Sequence, residues 1–135
     1  VGSISHTRSC AMAVVAQRGA IQGLGIDVEE DKPLADDLWP AICSQQEQAW
    51  LRQQHNPGQL AKLVFSAKEA AYKCQFIVSQ RYYGFDGMEL TLDLETSSFS
   101  ARFCADQPPF NCGDCITGRF AIGAGLIVTT AELRG

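Results

Sequence analysis

The sequence predicts an α+β domain in which an antiparallel sheet packs against one long helix. Apolar residues recur every three or four positions from Leu60 to Val78, the period of a helix with a single buried stripe. After Gly84 the pattern changes to alternation, the period of a strand with one face in a core. With 135 residues, 46% of them hydrophobic, the chain can build one core but not two ordinary ones, so residues 1–135 are read as one domain.

Taken in order, Cys10–Ala16 reads as a buried strand, and Gln17–Ala20 as a turn into a second strand near 21–29, which makes a hairpin candidate. Asp31–Pro40, with Pro33, Asp36 and Asp37, reads as loop with a short helix. Ser44 followed three residues later by Glu47 has the capping-box spacing, opening a helix to about Gln54. His55-Asn56-Pro57-Gly58 interrupts the chain before the long helix, expected over about Gln59–Ser79. Met88–Leu94, Ser98–Cys104 and Phe120–Thr129 alternate as strands, with Asp106–Gly118 as a long loop between the last two.

A net charge of -4 without clustered Lys or Arg excludes a duplex nucleic-acid binder, though a few placed cations suffice for a small anion. No apolar run approaches the roughly 18 residues of a membrane span, and the start VGSISHTRS lacks signal-peptide architecture, so a soluble, cytoplasmic protein is expected. Opening on Val1 directly into a patterned segment, the sequence is expected to lack something upstream. Of its six cysteines, Cys112 and Cys115 have zinc-ligand spacing. Cys104 is the nearest further ligand, and His6 and His55 are distant in sequence, so free thiols are expected.

In Gly25-Ile26-Asp27-Val28-Glu29 the two carboxylates lie two apart on a predicted strand and project from one face, while Leu24, Ile26 and Val28 face the other way. A divalent cation would turn their mutual repulsion into binding, and oxygen-only ligands suit magnesium. From this pair alone the simpler account is a solvated acidic face. In Phe65-Ser66-Ala67-Lys68-Glu69-Ala70-Ala71-Tyr72-Lys73, Glu69 and Lys73 are four apart and off the apolar stripe. Alone, such a pair is a helix-stabilising contact of about 0.2–0.5 kcal/mol.

Together, Asp27-Val28-Glu29 on a strand and Phe-Ser-x-Lys-Glu-Ala-x-Tyr-Lys on a helix about forty residues later resemble the paired signature of the 4′-phosphopantetheinyl transferase superfamily. Gly2-Ser3-Ile4-Ser5-His6-Thr7, ahead of an alanine-rich strand, resembles the larger, surfactin- and enterobactin-type subfamily. The matches span residues 2–73. The resemblance implies one half, the carboxyl-terminal one, of a pseudo-twofold fold, with the amino-terminal half absent.

It also implies an activity: magnesium-dependent transfer of the phosphopantetheine arm of coenzyme A to a serine of an acyl or peptidyl carrier protein, releasing 3′,5′-ADP. Asp27, Glu29 and Glu69 would be the metal ligands, and Lys73 would contact the same phosphates. Ser5, His6 and Lys68 would be further coenzyme A contacts. Glu47 matches a glutamate proposed as the base for the carrier serine, a role compatible with its place in the capping box. Phe65 stands where many relatives carry Trp. An acidic carrier would need a local basic patch, for which Lys62, Arg81 and Arg102 are candidates. Association with the missing half or with a second copy is expected. The rival readings are a truncated, non-catalytic coenzyme A or nucleotide-binding module, a magnesium phosphohydrolase, and a zinc-bound structural module.

Overall fold

The computed structural model describes residues 1–135. Strands β1 (Gly2–His6) and β2 (Ala11–Val15) form a two-stranded sheet. β3 (Ile21–Glu30) is followed by the short helix α1 (Trp39–Ile42), α2 (Gln45–Arg52) and the long helix α3 (Pro57–Ser79). β4 (Met88–Asp93), β5 (Ser98–Phe103), β6 (Cys115–Gly123) and β7 (Leu126–Arg134) complete the chain. β3 joins these last four in an antiparallel sheet of order β3-β7-β6-β5-β4. The α+β class and the long helix are as the periodicity predicts.

The core lies between this sheet and α3. Leu63, Val64, Ala67, Ala70, Ala71 and Cys74 from the helix are buried in one cluster with Phe99, Phe103, Ile116 and Ile127 from the sheet. Ser44 caps α2 as its spacing predicts: its hydroxyl accepts from the Glu47 amide at 3.1 Å, and Glu47 Oε1 accepts from the Ser44 amide at 2.7 Å.

Two strand assignments change. β2 pairs with β1, not with β3. Gly23 and Gly25 on β3 bring that strand against α3, where its ladder partner is β7, distant in sequence. The predicted strand 120–129 divides into β6 and β7 around Ala124 and Gly125, both left-handed at φ 53° and 76°. Such a two-residue turn usually advertises itself as Asn-Gly or Asp-Gly, and here it is hidden in Gly-Ala-Gly. The predicted loop 106–118 is correspondingly shorter, because β6 already begins at Cys115.

The contact between β3 and α3 is made by absent side chains. A Cβ on Gly23 would stand 2.5 Å from the Cys74 carbonyl oxygen, and one on Gly25 would fall inside the Ala70 carbonyl. Both obstacles are backbone, which cannot rotate away. Gly25→Ala should therefore destabilise the fold by about 1–3 kcal/mol or more, the usual cost of overpacking. Gly123→Ala, where a Cβ meets nothing within 4 Å, should stay within about 0.5 kcal/mol. Denaturant titration of both variants checks this, and equal midpoints would refute it.

Candidate functional site

Side chains alternate along β3, so Asp27 and Glu29 project from the same face as Gly23 and Gly25, the face that α3 covers. Asp27 lies opposite Thr129 in the β3/β7 ladder. Thr129 Oγ1 donates to the Ser66 carbonyl at 2.9 Å and stands 2.9 Å from Ser66 Oγ, all of it buried. This bond fixes the rotation of α3 over the sheet and carries Glu69, about one turn further on, towards Asp27. The sequence shows Ser66 only as a member of the helix motif and Thr129 only as the end of a predicted strand. The only trace was a hydroxyl residue inside an otherwise apolar helix stripe.

The acids at this junction are poorly satisfied. Asp27 is 4% exposed, and its Oδ2 is buried with no hydrogen-bond partner. Burial, the close approach of the Asp27 carboxylate and its charge push Glu29 up to about 8, partly offset by Lys62. Burial and the Asp27 charge also raise Glu69, with Lys73 acting against them. The strand pair and the helix acid thus feel one another's charge. No group of three or more His, Cys, Asp or Glu side chains is closed up to metal-binding separation as it stands. An ion drawn to Asp27 Oδ2 would have to pull the carboxylates together.

Lys73 belongs to the same junction. Its Nζ donates to the Ile26 carbonyl at 2.9 Å and the Ile4 carbonyl at 3.4 Å, and lies 3.6 Å from Asp27 Oδ1. Ser5 is engaged within the protein. Its hydroxyl accepts from the Val28 amide at 3.1 Å and faces Asp27 Oδ1 at 3.5 Å, so it serves the strand edge and the acid. His6, next in β1, is exposed.

Lys68 and Glu47 engage one another in the structure. Each is 4% exposed. Lys68 Nζ donates to Glu47 Oε1 at 2.8 Å, to the Ile42 carbonyl at 2.8 Å and to the Phe85 carbonyl at 2.9 Å, using all three ammonium protons. Glu47 Oε2 accepts from the Leu90 amide at 2.6 Å. The pair ties α1, α2, α3 and β4 together. In this geometry all three Lys68 ammonium protons are given to protein acceptors, and the buried Glu47 carboxylate accepts three hydrogen bonds. Beside them a cleft of about 160 Å³ is lined by Glu69, Tyr72, Tyr83, Phe85 and Met88, with the Lys68 stem in its wall.

Fold and site define a small α+β domain that sets acids from a strand and a helix beside a lysine, with the helix acid Glu69 also lining a mostly apolar cleft. The profile of the 4′-phosphopantetheinyl transferase superfamily matches residues 23–124. The chain belongs to that superfamily. It is 32% identical over 134 residues to 4′-phosphopantetheinyl transferase Svp of Streptomyces mobaraensis, covering 96% of this chain and 54% of that protein. With 4′-phosphopantetheinyl transferase PptT of Mycobacterium tuberculosis it shares 29% over 144 residues, 98% of this chain and 62% of that one. With enterobactin synthase component D of Salmonella typhi it shares 38% over 93 residues, 67% and 38% of the two chains. The chain therefore spans about half the length of the curated relatives it matches. The fold resembles the holo-[acyl-carrier-protein] synthase of Thermotoga maritima with a TM-score of 0.67, 18% identity and coverage of 84% and 63%. For the Neisseria meningitidis holo-[acyl-carrier-protein] synthase the TM-score is 0.58, with 16% identity and coverage of 85% and 98%.

The buried ion pair yields a stability prediction. Lys68→Met leaves the Glu47 carboxylate buried without its counter-charge, and should cost about 3–5 kcal/mol. Adding Glu47→Gln to it should recover part of that loss, because the uncompensated charge disappears. Unfolding free energies of the two single variants and the double variant measure the coupling, and strict additivity would contradict a direct pair.

Proposed function

We propose that this chain carries the metal and coenzyme A site of a 4′-phosphopantetheinyl transferase of the larger subfamily, transferring the phosphopantetheine arm to a carrier-protein serine. The observation that carries this reading is the buried, unpartnered Asp27 Oδ2, set beside two further carboxylates whose proton affinity is raised. Polar atoms are rarely left orphaned inside a fold without a ligand to receive. All the donors are hard oxygens, which fits magnesium.

Asp27, Glu29 and Glu69 would hold the ion. Bound there, it would neutralise charge on the diphosphate of coenzyme A. Lys73, anchored on the Ile26 carbonyl beside Asp27, adds a positive charge on the same side and stabilises the leaving 3′,5′-ADP. His6, exposed on β1, would donate from its imidazole to a phosphate. Glu69 also edges the cleft, whose aromatic and methionine walls suit the amide and methylene groups of the arm. The carrier serine then attacks the β-phosphate in line. A non-catalytic coenzyme A-binding module would use the same groups without turnover.

Because the chain spans about half of its relatives, the groups that complete the adenine end of the site are proposed to come from the other half of the fold or from a second copy. Ile4 at 68% and Val15 at 85% exposure on the β1/β2 hairpin offer apolar surface for that contact.

Incubation with apo-carrier, coenzyme A and magnesium should add the mass of one phosphopantetheine arm to the carrier. Asp27→Ala and Glu69→Ala should each slow the transfer by about 10²-fold or more, in line with losing a preorganised electrostatic group. Unchanged transfer in either variant would remove the metal assignment. Coenzyme A binding without any mass gain would favour the non-catalytic module. Gel filtration alongside a coenzyme A titration tests the partner: full affinity in a monomer would rule out the need for a second half.

A further inference from the structure

Outside this site, three exposed thiols gather where β5 runs out and β6 begins: Cys104, Cys112 and Cys115. The backbone there is well ordered by its own hydrogen bonds. Gly113 donates to the Phe103 carbonyl at 2.9 Å, and Phe103 donates to the Asp114 carbonyl at 2.8 Å. With Gly113 at φ 94°, this is a bulge in which a left-handed glycine and its successor oppose one residue. Cys104 follows Phe103 and Cys112 precedes Gly113, so the bulge sets the two cysteines side by side across the two chain segments. The Cys112 amide is further held by Asp106 Oδ1 at 2.8 Å.

Cys112 Sγ points at the Cys104 backbone, 3.4 Å from its carbonyl oxygen. The Cys104 thiol is turned back to the Arg102 carbonyl at 3.8 Å, so a rotation about its Cα–Cβ bond brings it towards Cys112. The Cys115 thiol leans instead on the Gly113 carbonyl at 3.7 Å. Between Cys104 and Cys112 the chain closes on itself through reciprocal hydrogen bonds of Gln107 and Phe110, and Phe110 stacks on Phe103 at 4.6 Å. The two thiols thus stand at the ends of a loop that is already folded shut.

This loop touches the cleft. The Cys104 amide donates to the Gly87 carbonyl at 3.0 Å, next to Met88 and close to Phe85, both of which line the cleft.

We propose that Cys104 and Cys112 form a thiol–disulfide exchange site for a small disulfide oxidant such as glutathione disulfide. One thiolate attacks the oxidant and releases one glutathione as thiol. The second thiolate then displaces the bound glutathione, so one Sγ–Sγ bond forms as the glutathione S–S bond breaks, and the two cysteine protons end on the two glutathione thiols released. The bond straps the 104–112 loop and restrains the Gly87 segment beneath the cleft. The site is independent of the metal and coenzyme A assignment.

The test equilibrates the full chain with glutathione and glutathione disulfide, blocks free thiols, and maps disulfides by peptide mass spectrometry. The expected result is an intramolecular Cys104–Cys112 bond that dithiothreitol reverses, lost in Cys104→Ser and in Cys112→Ser and kept in Cys115→Ser. A bond that includes Cys115, or glutathione adducts with no intramolecular bond, overturns the proposal. Hydrogen exchange supplies the second readout: oxidation should slow exchange of the Cys104 amide in the unsubstituted chain, and an unchanged rate would overturn the restraint on the Gly87 segment.

Discussion

Between Gly25 and Ala70 there is no room for a side chain, and every feature of the site follows from that distance. A strand normally rests on a helix through the side chains of both. Here Gly23 and Gly25 remove one layer, so backbone meets backbone, and the next two residues on the same face, Asp27 and Glu29, are driven in beside the helix. The conformational freedom of glycine is secondary at these positions. What matters is the absence of Cβ, the third use of glycine after turns and caps. Once the two elements lie this close, the Thr129–Ser66 bond can form and fix which helix residues face the acids.

Lys68 and Glu69 are neighbours in sequence and opposite in condition. Lys68 turns to a glutamate and two carbonyls and is saturated. Glu69 lines the cleft within reach of the Asp27 charge, and burial together with that charge raises its proton affinity. A buried ion pair tolerates desolvation only when its remaining hydrogen bonds are complete, which the Ile42, Phe85, Ser44 and Leu90 backbone groups achieve. The acids on the other side of the helix have no such completion. That asymmetry separates a structural polar cluster from a candidate binding one more clearly than residue type does, since each contains a lysine and at least one glutamate.

Sequence periodicity revealed α3 and the strand content because burial on one side of a long element leaves a regular imprint. It also placed Asp27 and Glu29 on a common face, and Glu69 and Lys73 off the apolar stripe. Strand pairing was less legible. Nothing local in Ile21–Glu30 says that its partner is Leu126–Arg134, a choice made by tertiary packing around Gly23 and Gly25. The fates of Glu47 and Lys68 were hidden for a related reason. A lysine in a helix motif reads as a surface charge, and only the approach of α1, the Phe85 segment and α2 supplies the acceptors that let it be buried. Ser44 and Glu47 as a capping box were legible because that motif is local.

The free edge of β3 shows how protection of the fold and construction of the site become one task. An edge strand exposes amides that invite pairing with another chain. Here the Ile26 amide donates to Ser3 Oγ and the Val28 amide to Ser5 Oγ, both at 3.1 Å, so alternate hydroxyls of β1 stand where a ladder strand's carbonyls would be. Serine suits this because its short hydroxyl reaches a neighbouring amide and retains a proton to give onward. Ser5 directs that proton to Asp27 Oδ1, and Lys73 spans from Ile26 to Ile4 across the same seam. The hairpin is therefore held to the sheet by the very groups that surround the acid. A change that loosens β1 would expose the edge and alter the field at Asp27 together, which ties the integrity of this margin to whatever Asp27 binds.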